Sequence, residues 1–500
     1  MKIICSVALF LALISCSKTE TTLNYGAVSS ASPEATEAGI RILKAGGNAV
    51  DASIAVSFAL GVSEPAMSGI GGGTQVQIYL PGQLEPFAIN GSTLSPALTP
   101  VVFKKDSLNG HLRSTVPSTV KVMQYLFDNY GSKKIAWKNL LQPAIEIAEK
   151  GLETGPFRGK VFQRYQEKLE KGLPFTSEYL LSTNSNGKQL KMANTLKLIA
   201  QNGADIFYKG EIARSIAEDM RNNGGWISEL DLEMLPQPEN LGSVHFMHNG
   251  YDIYTQPEPA GGWIIKEILE KLTELRSGDK EVDEIQLLIE AIHFGHSQRE
   301  LMAKEIAKEN TGETTHFSVM DKEGIAVSIT SSINAYYGAG VVNPDYGFFY
   351  NSYMDDFIFD EIENTYALGP NKMAYSSMSP TIVLKDGKVV LIIGSPGSSR
   401  IISTIAQLID TYTRGEIKPE QLLELPRVHA INQKVYLENG DDRDLSEISL
   451  NTDWEIVQPS TYLIQNGLNA YFGGVHAIVW TGKEYKALAD PRRDGLAITD

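Results

Sequence analysis

Residues 313–319 read ETTHFSV, and the alternating stretch FSVMDKEGIAVSIT runs on from them. Apolar and polar residues take turns through Thr330, which predicts strand over Thr315–Thr330. The pair Thr314-Thr315 therefore opens a strand deep inside the chain. Threonine is common at such positions because β-branched residues suit a pleated surface. The pair alone does not separate a chemical role from an ordinary strand start.

Outward from this stretch, the N-terminal half reads as helix-rich. Ser32-Pro33 caps a helix that Gly46-Gly47 breaks, and a second follows over Ala49–Leu60. Further helices are predicted over 118–127, 134–150, 190–202, 209–223 and 262–276, with one or two amphipathic helices in 283–309. Gly69, Gly71, Gly72 and Gly73 precede an alternating strand, Thr74–Tyr79. No Gly-Lys-Ser/Thr and no helix follow, so close backbone approach suits these glycines better than a phosphate loop. Beyond residue 314, strands are predicted over Thr381–Ile393, Lys434–Leu437 and Ala477–Thr481. Helix-rich and then strand-rich halves predict sheets covered by helices in layers.

The 500 residues carry a formal net charge of −16. Such a surface repels phosphate backbones and argues against nucleic acid as a partner. At the N-terminus, Lys2 precedes a short apolar run that ends at Leu13-Ile14-Ser15-Cys16. The run suits a signal-peptide core and is too short for a mature membrane span. The tetrad resembles a bacterial lipobox, which implies lipid on Cys16, a tether over 17–24, and an exported, periplasmic or cell-surface protein held to the membrane by that anchor alone. Cys5 would leave with the signal, so the mature chain would have no disulfide.

The familiar site motifs are missing. His245/His248 and His293/His296 form two HxxH pairs, but neither has the HExxH form of a zinc site. No GxSxG elbow is present. Four polar segments follow the opening stretch: Ser331-Ser332-Ile333-Asn334, Asn351 to Phe357, Tyr375 to Thr381, and Gly394 to Arg400. Singly, each reads as turn chemistry.

Taken in order, these segments resemble the γ-glutamyltranspeptidases, N-terminal-nucleophile hydrolases that cut themselves into two subunits. GNAVDASIAVSFALGVSEPAMSGIGGGTQV, TTHFSVMDKEGIAVSIT, NSYMDDF, YSSMSPTIVLKDGK, GSPGSSRII and ADPRRDG carry the resemblance over nearly the whole chain. It implies an α+β fold, the four-layer αββα sandwich, made as one precursor. Cleavage between Glu313 and Thr314 would give a large subunit, 25–313, and a small one, 314–500. A free N-terminal Thr314 would then carry its own base. Its α-amine, with an ordinary pKa of about 7.7–8.0, can take the hydroxyl proton.

The resemblance also implies the remaining roles. Ser332 matches a hydroxyl that touches the nucleophile. Asn334 and Asp356, with Tyr353 at a second such position, match contacts to the substrate's α-amino group. Ser376 and Ser377 match contacts to its α-carboxylate. Gly397 and Ser398 match a Gly-Gly pair whose amides form an oxyanion hole. No cofactor or metal is implied. Ser92 stands where the family usually has an Arg that clamps the α-carboxylate, and one hydroxyl does not replace a bidentate guanidinium. Arg113 is a candidate substitute. The stretch between Asp356 and Ser376 is shorter than in members with a lid loop, which would leave the acyl-enzyme open to water. Three readings follow: a γ-glutamyl hydrolase or transpeptidase acting on amides such as glutathione, a lidless relative acting as an acylase on another amide, and a binding lipoprotein without catalysis.

Overall fold

A computed structural model describes residues 23–153, 155–170, 187–278, 283–302, 313–438, 454–459, 463–465 and 467–500. Cys16 and the end of the helix predicted over 283–309 lie outside the described residues.

The hairpin that opens on Thr315 is central to the molecule. Strands Thr315–Asp321 and Ala326–Ser332 pair antiparallel, with Thr315 opposite Ser331 and His316 opposite Thr330. Alternation sends Phe317, Val319, Val327 and Ile329 into one apolar core. It sends His316, Ser318, Ser328 and Thr330 to the opposite face. Seven strands assemble around this pair, in the order Leu496–Thr499, Gly26–Ser30, Thr315–Asp321, Ala326–Ser332, Gly73–Tyr79, Phe87–Gly91 and Glu239–Asn240. A second, six-stranded sheet runs Tyr485–Ala489, His476–Trp480, Lys388–Gly394, Thr381–Lys385, Tyr251–Thr255 and Val244–His248. All neighbours in both sheets are antiparallel.

Helices cover both outer faces. Pro33–Lys44, Ala49–Ser63, Thr119–Tyr130, Trp137–Lys150 and Leu190–Asn202 pack on the first sheet's apolar side. Gly262–Arg276, Glu284–Met302 and Arg400–Arg414 pack on the second. The result is the expected α+β sandwich of four layers, α, β, β, α. Strands from before and after residue 313 interleave in the first sheet and pair side by side in the second, so a cut there would leave the two fragments locked together.

The layer between the sheets is polar beside the hairpin. Ser318 Oγ donates to the His476 carbonyl and Ser328 Oγ to the Ile393 carbonyl. His316 Nδ1 lies 2.9 Å from Thr330 Oγ1. Burial holds the His316 imidazole well below its ordinary pKa, so it sits neutral. Its ring packs on Gly394, where an added Cβ would lie 2.3 Å from His316 Cε1. That contact brings the 395–399 loop against the strand that starts at Thr315.

The glycine run after Ala49–Ser63 is a close-approach device, as the sequence suggests. A Cβ on Gly71 would lie 2.1 Å from the Phe349 carbonyl oxygen, and one on Gly72 2.2 Å from that of Ser332. Gly72→Ala is therefore expected to destabilise the chain by about 1–3 kcal/mol. The urea midpoint measures this, and an unchanged midpoint would refute the steric account.

Candidate active site

The register places Thr314 across from Ser332, one step beyond the Thr315–Ser331 pair. The two side chains share the inner face of the first sheet, at its open end. Thr314 Oγ1 donates to Ser332 Oγ at 3.3 Å. Ser332 Oγ in turn donates to the Glu313 carbonyl oxygen at 2.7 Å and accepts from the Asn334 amide at 2.8 Å. One hydroxyl thus links a candidate nucleophile to the carbonyl of the peptide bond that precedes it.

Thr314 and Ser332 line one cleft with Asn334, Tyr353, Asp356, Ser376, Ser377 and Ser398. Tyr353 and Asp356 come from a short 3-10 turn, Tyr353–Asp356. Asn334 has φ 75 and its amide group donates to the Ser352 carbonyl. The Ser376 amide is anchored on the Pro259 carbonyl. Burial pushes the Asp356 carboxyl up to about 7, helped by the Asp355 charge and opposed by a hydrogen bond from Asn334. Near neutral pH it is a half-ionised acid, able to take an ammonium group.

Gly397 and Ser398 sit where Gly394–Ser399 leads into helix Arg400–Arg414. Their amides have no acceptor among the described residues. Two unused N–H groups at the start of a 15-residue helix favour negative charge, so the loop can stabilise an oxyanion. Ser398 has φ 56, in the left-handed region. A side chain there costs roughly 1–2 kcal/mol, which Ser can bear and Gly would avoid.

A family model described as gamma-glutamyltranspeptidase matches residues 35–307 and 300–499. The chain belongs to the γ-glutamyltranspeptidase family. It is 32% identical to the glutathione hydrolase proenzyme of Escherichia coli over 471 residues, covering 81% of this chain and 80% of that one. It is 31% identical to the capsule biosynthesis protein CapD proenzyme of Bacillus anthracis, covering 94% and 90%. Among solved structures, cephalosporin acylase from Bacillus halodurans shares the fold, with a TM-score of 0.79 at 22% identity over 95% of this chain and 96% of that one.

Against this family background, two sequence expectations change. Ser92 is not among the residues that line the cleft. Its hydroxyl donates to Asn90 Oδ1 and accepts from Gln75 Nε2, so it is spent on the two neighbouring strands. Arg113 does not stand in for a carboxylate clamp either. Its Nε and Nη2 are both taken by the Asp355 carboxylate. The stretch from Phe357 to Ala374 packs Phe357, Phe359, Leu368 and Ala374 with Tyr353, Met354 and Met378. The HxxH pairs do other work: His248 Nε2 meets Asp410 Oδ1 at 2.8 Å and His296 Nε2 meets Ser403 Oγ at 3.1 Å.

Three residues near Thr314 escaped the sequence reading. Glu64 accepts from the Thr315 hydroxyl at 2.7 Å, and burial pushes its carboxyl up to about 7. Arg493 donates to Glu313 Oε2 at 2.6 Å in a buried ion pair that holds the residue before Thr314. Breaking such a pair leaves a stranded buried charge and costs about 3–5 kcal/mol. Arg299, on helix Glu284–Met302, also lines the cleft. Only Glu313 carried a local signal, as the residue before the Thr pair. Glu64 and Arg493 lie far from it in sequence, and Arg299 stands 14 residues before it on a separate helix.

Proposed function

We propose that the chain cuts itself between Glu313 and Thr314 and then hydrolyses or transfers γ-glutamyl amides, of which glutathione is the type, through an ester on Thr314. The observation that carries this reading is the single cleft that gathers Thr314, Ser332, Asn334, Asp356, Ser376 and Ser377 beside two unused amides. In self-cleavage, Thr314 Oγ attacks the Glu313 carbonyl carbon while Ser332 polarises its oxygen. The C–N bond breaks, the nitrogen takes the hydroxyl proton, and an ester joins Glu313 to Thr314. Water then releases the Glu313 carboxylate and leaves Thr314 with a free α-amine.

In turnover, that amine accepts the hydroxyl proton as Oγ attacks the donor's amide carbonyl. The amides of Gly397 and Ser398 hold the oxyanion. The proton passes to the leaving amine, and water or a second amine resolves the ester. These steps need no cofactor. With the chain continuous through 313–314, the cleft measures about 30 Å³. That is room for about two waters. Residues 1–16 support export with lipid on Cys16 as the sole membrane anchor, leaving a large subunit, 25–313, paired with 314–500.

Asp356 gives this reading a pH signature. Its ionised form attracts the donor's ammonium, and protonation removes that attraction. For γ-glutamyl-p-nitroanilide, kcat/KM is expected to fall as pH drops through about 7. Glutaryl-p-nitroanilide lacks the amine and shares only the limb set by the Thr314 amine. Asp356→Asn should remove the extra limb and lower γ-glutamyl kcat/KM by about 10- to 100-fold. A second reading, an acylase for amides without the γ-glutamyl head, is favoured by Ser92, which brings no cation to the cleft. A fully cleaved protein that hydrolyses simple acyl anilides but no γ-glutamyl donor would establish it over the first.

A further inference from the structure

Among the described residues, arginine burial follows a rule with one exception. Arg427 pairs with Asp490, Arg492 with Glu438, and Arg493 and Arg400 with Glu313. Arg299 is just as buried, at 4% exposure, yet no carboxylate lies within ion-pair distance among the described residues. Its Nε and Nη1 are buried without a hydrogen-bond partner there. An uncompensated buried guanidinium is costly, by several kcal/mol. Folds keep such a group where a ligand supplies the missing charge.

Its position says which ligand. Arg299 lines the same cleft as Thr314, Asp356, Ser376 and Ser377. Its guanidinium carbon stands 4.2 Å from the centroid of the Tyr375 ring, which fixes the fork against an aromatic face. The Tyr375 hydroxyl is also buried and has no hydrogen-bond partner among the described residues. Asp356 and Arg299 act on each other electrostatically but form no ion pair among the described residues. Burial keeps that carboxyl near neutral pH, and Arg299 draws it down only as a lesser influence. The cleft thus offers an acid for an ammonium and, separately, a free planar cation with two serines for a carboxylate.

We propose that Arg299 is the specificity-determining cation of the donor subsite, binding a carboxylate on the acyl group and so selecting donors that carry one. This rests on Thr314 as the acylated nucleophile and supplies the charge that Ser92 does not. The preferred acyl group is zwitterionic at its far end, with its ammonium at Asp356 and its carboxylate at Arg299.

Three anilides separate the parts: γ-glutamyl-p-nitroanilide has both groups, glutaryl-p-nitroanilide only the carboxylate, and 4-aminobutyryl-p-nitroanilide only the amine. Arg299→Met is expected to cleave itself normally. It should lose roughly 30- to 1,000-fold in kcat/KM, mostly through KM, on the first two donors. The third should be unchanged at pH 9, where Asp356 is ionised with or without Arg299. Arg299→Lys should fall between, since it keeps charge and loses the fork. It decides the question by the same donor ratios if the Met variant does not fold. Equal loss on all three donors overturns the proposal, as does a cleaved wild type that shows no preference for a carboxylate or turns over none of the three. A wild type inert to the γ-glutamyl donor but active on the glutaryl one in an Arg299-dependent way upholds Arg299 and rejects the γ-glutamyl reading.

Discussion

Thr314→Ala is expected to stay a single chain through residue 500 and to lose amide turnover by on the order of a million-fold, the scale seen when an acyl-transfer nucleophile is removed. Both losses have one cause. Thr314 Oγ is the atom that attacks its own preceding carbonyl and later the donor's. In the uncleaved chain it lies 3.3 Å from Ser332 Oγ, which itself holds the Glu313 oxygen. The Tyr353 hydroxyl also reaches Ser332, but Thr314 Oγ is the hydroxyl on the residue that follows the Glu313 carbonyl. The fold should survive, because Thr314 sits just before the strand and outside the apolar clusters. Thr314→Ser, which keeps the hydroxyl, should still cleave. Denaturing electrophoresis reads the first effect and anilide hydrolysis the second. A cleaved Ala variant would remove Thr314 from both roles.

Ser332→Ala is expected to slow self-cleavage by about 10²- to 10³-fold, the usual cost of losing one donor to a developing oxyanion. The Ser332 hydroxyl is the donor seen on the Glu313 carbonyl, at 2.7 Å. Its loss also leaves the Asn334 amide without its acceptor, so Asn334 can drift from Asp356. Ser332→Thr keeps the hydroxyl and should process at close to the wild-type rate. The measurement is the half-life of freshly refolded precursor. If the Ala variant matures as fast as wild type, Ser332 does not activate the scissile carbonyl.

Much of this arrangement was legible in the sequence where the signals are local. Leu190–Asn202 and Gly262–Arg276 match their predicted spans end to end, because apolar spacing marks each helix. The predicted strand Thr381–Ile393 is a hairpin, turned at Asp386-Gly387, where both residues have positive φ. Helix Arg400–Arg414 was missed. Its apolar residues do recur at helical spacing, but it is rich in Ile and Thr, which favour strands, and its polar face is buried rather than solvated. Gly26–Ser30 and Leu496–Thr499 are short, and they pair across the length of the chain, Ala27 against Thr499. No local pattern carries such a pairing.

The site divides the same way. Ser332 follows from register once Thr314 heads one strand of a hairpin. Asp356, Ser376 and Ser398 came from ordered segments and do meet in one cleft or at its edge. Ser92 did not, because its hydroxyl satisfies Asn90 and Gln75 instead. Arg299 was invisible for a physical reason. An arginine on a helix reads as part of a solvated face, and only tertiary packing shows that this one is buried without a carboxylate among the described residues.

The central claim is that the active nucleophile is an N-terminus made by the protein itself. N-terminal sequencing of the smaller fragment of purified wild type tests it directly. The account predicts that this fragment begins TTHFSV and runs through residue 500. An intact wild-type chain with amide-hydrolysing activity, or a fragment that begins at any other residue, would contradict it.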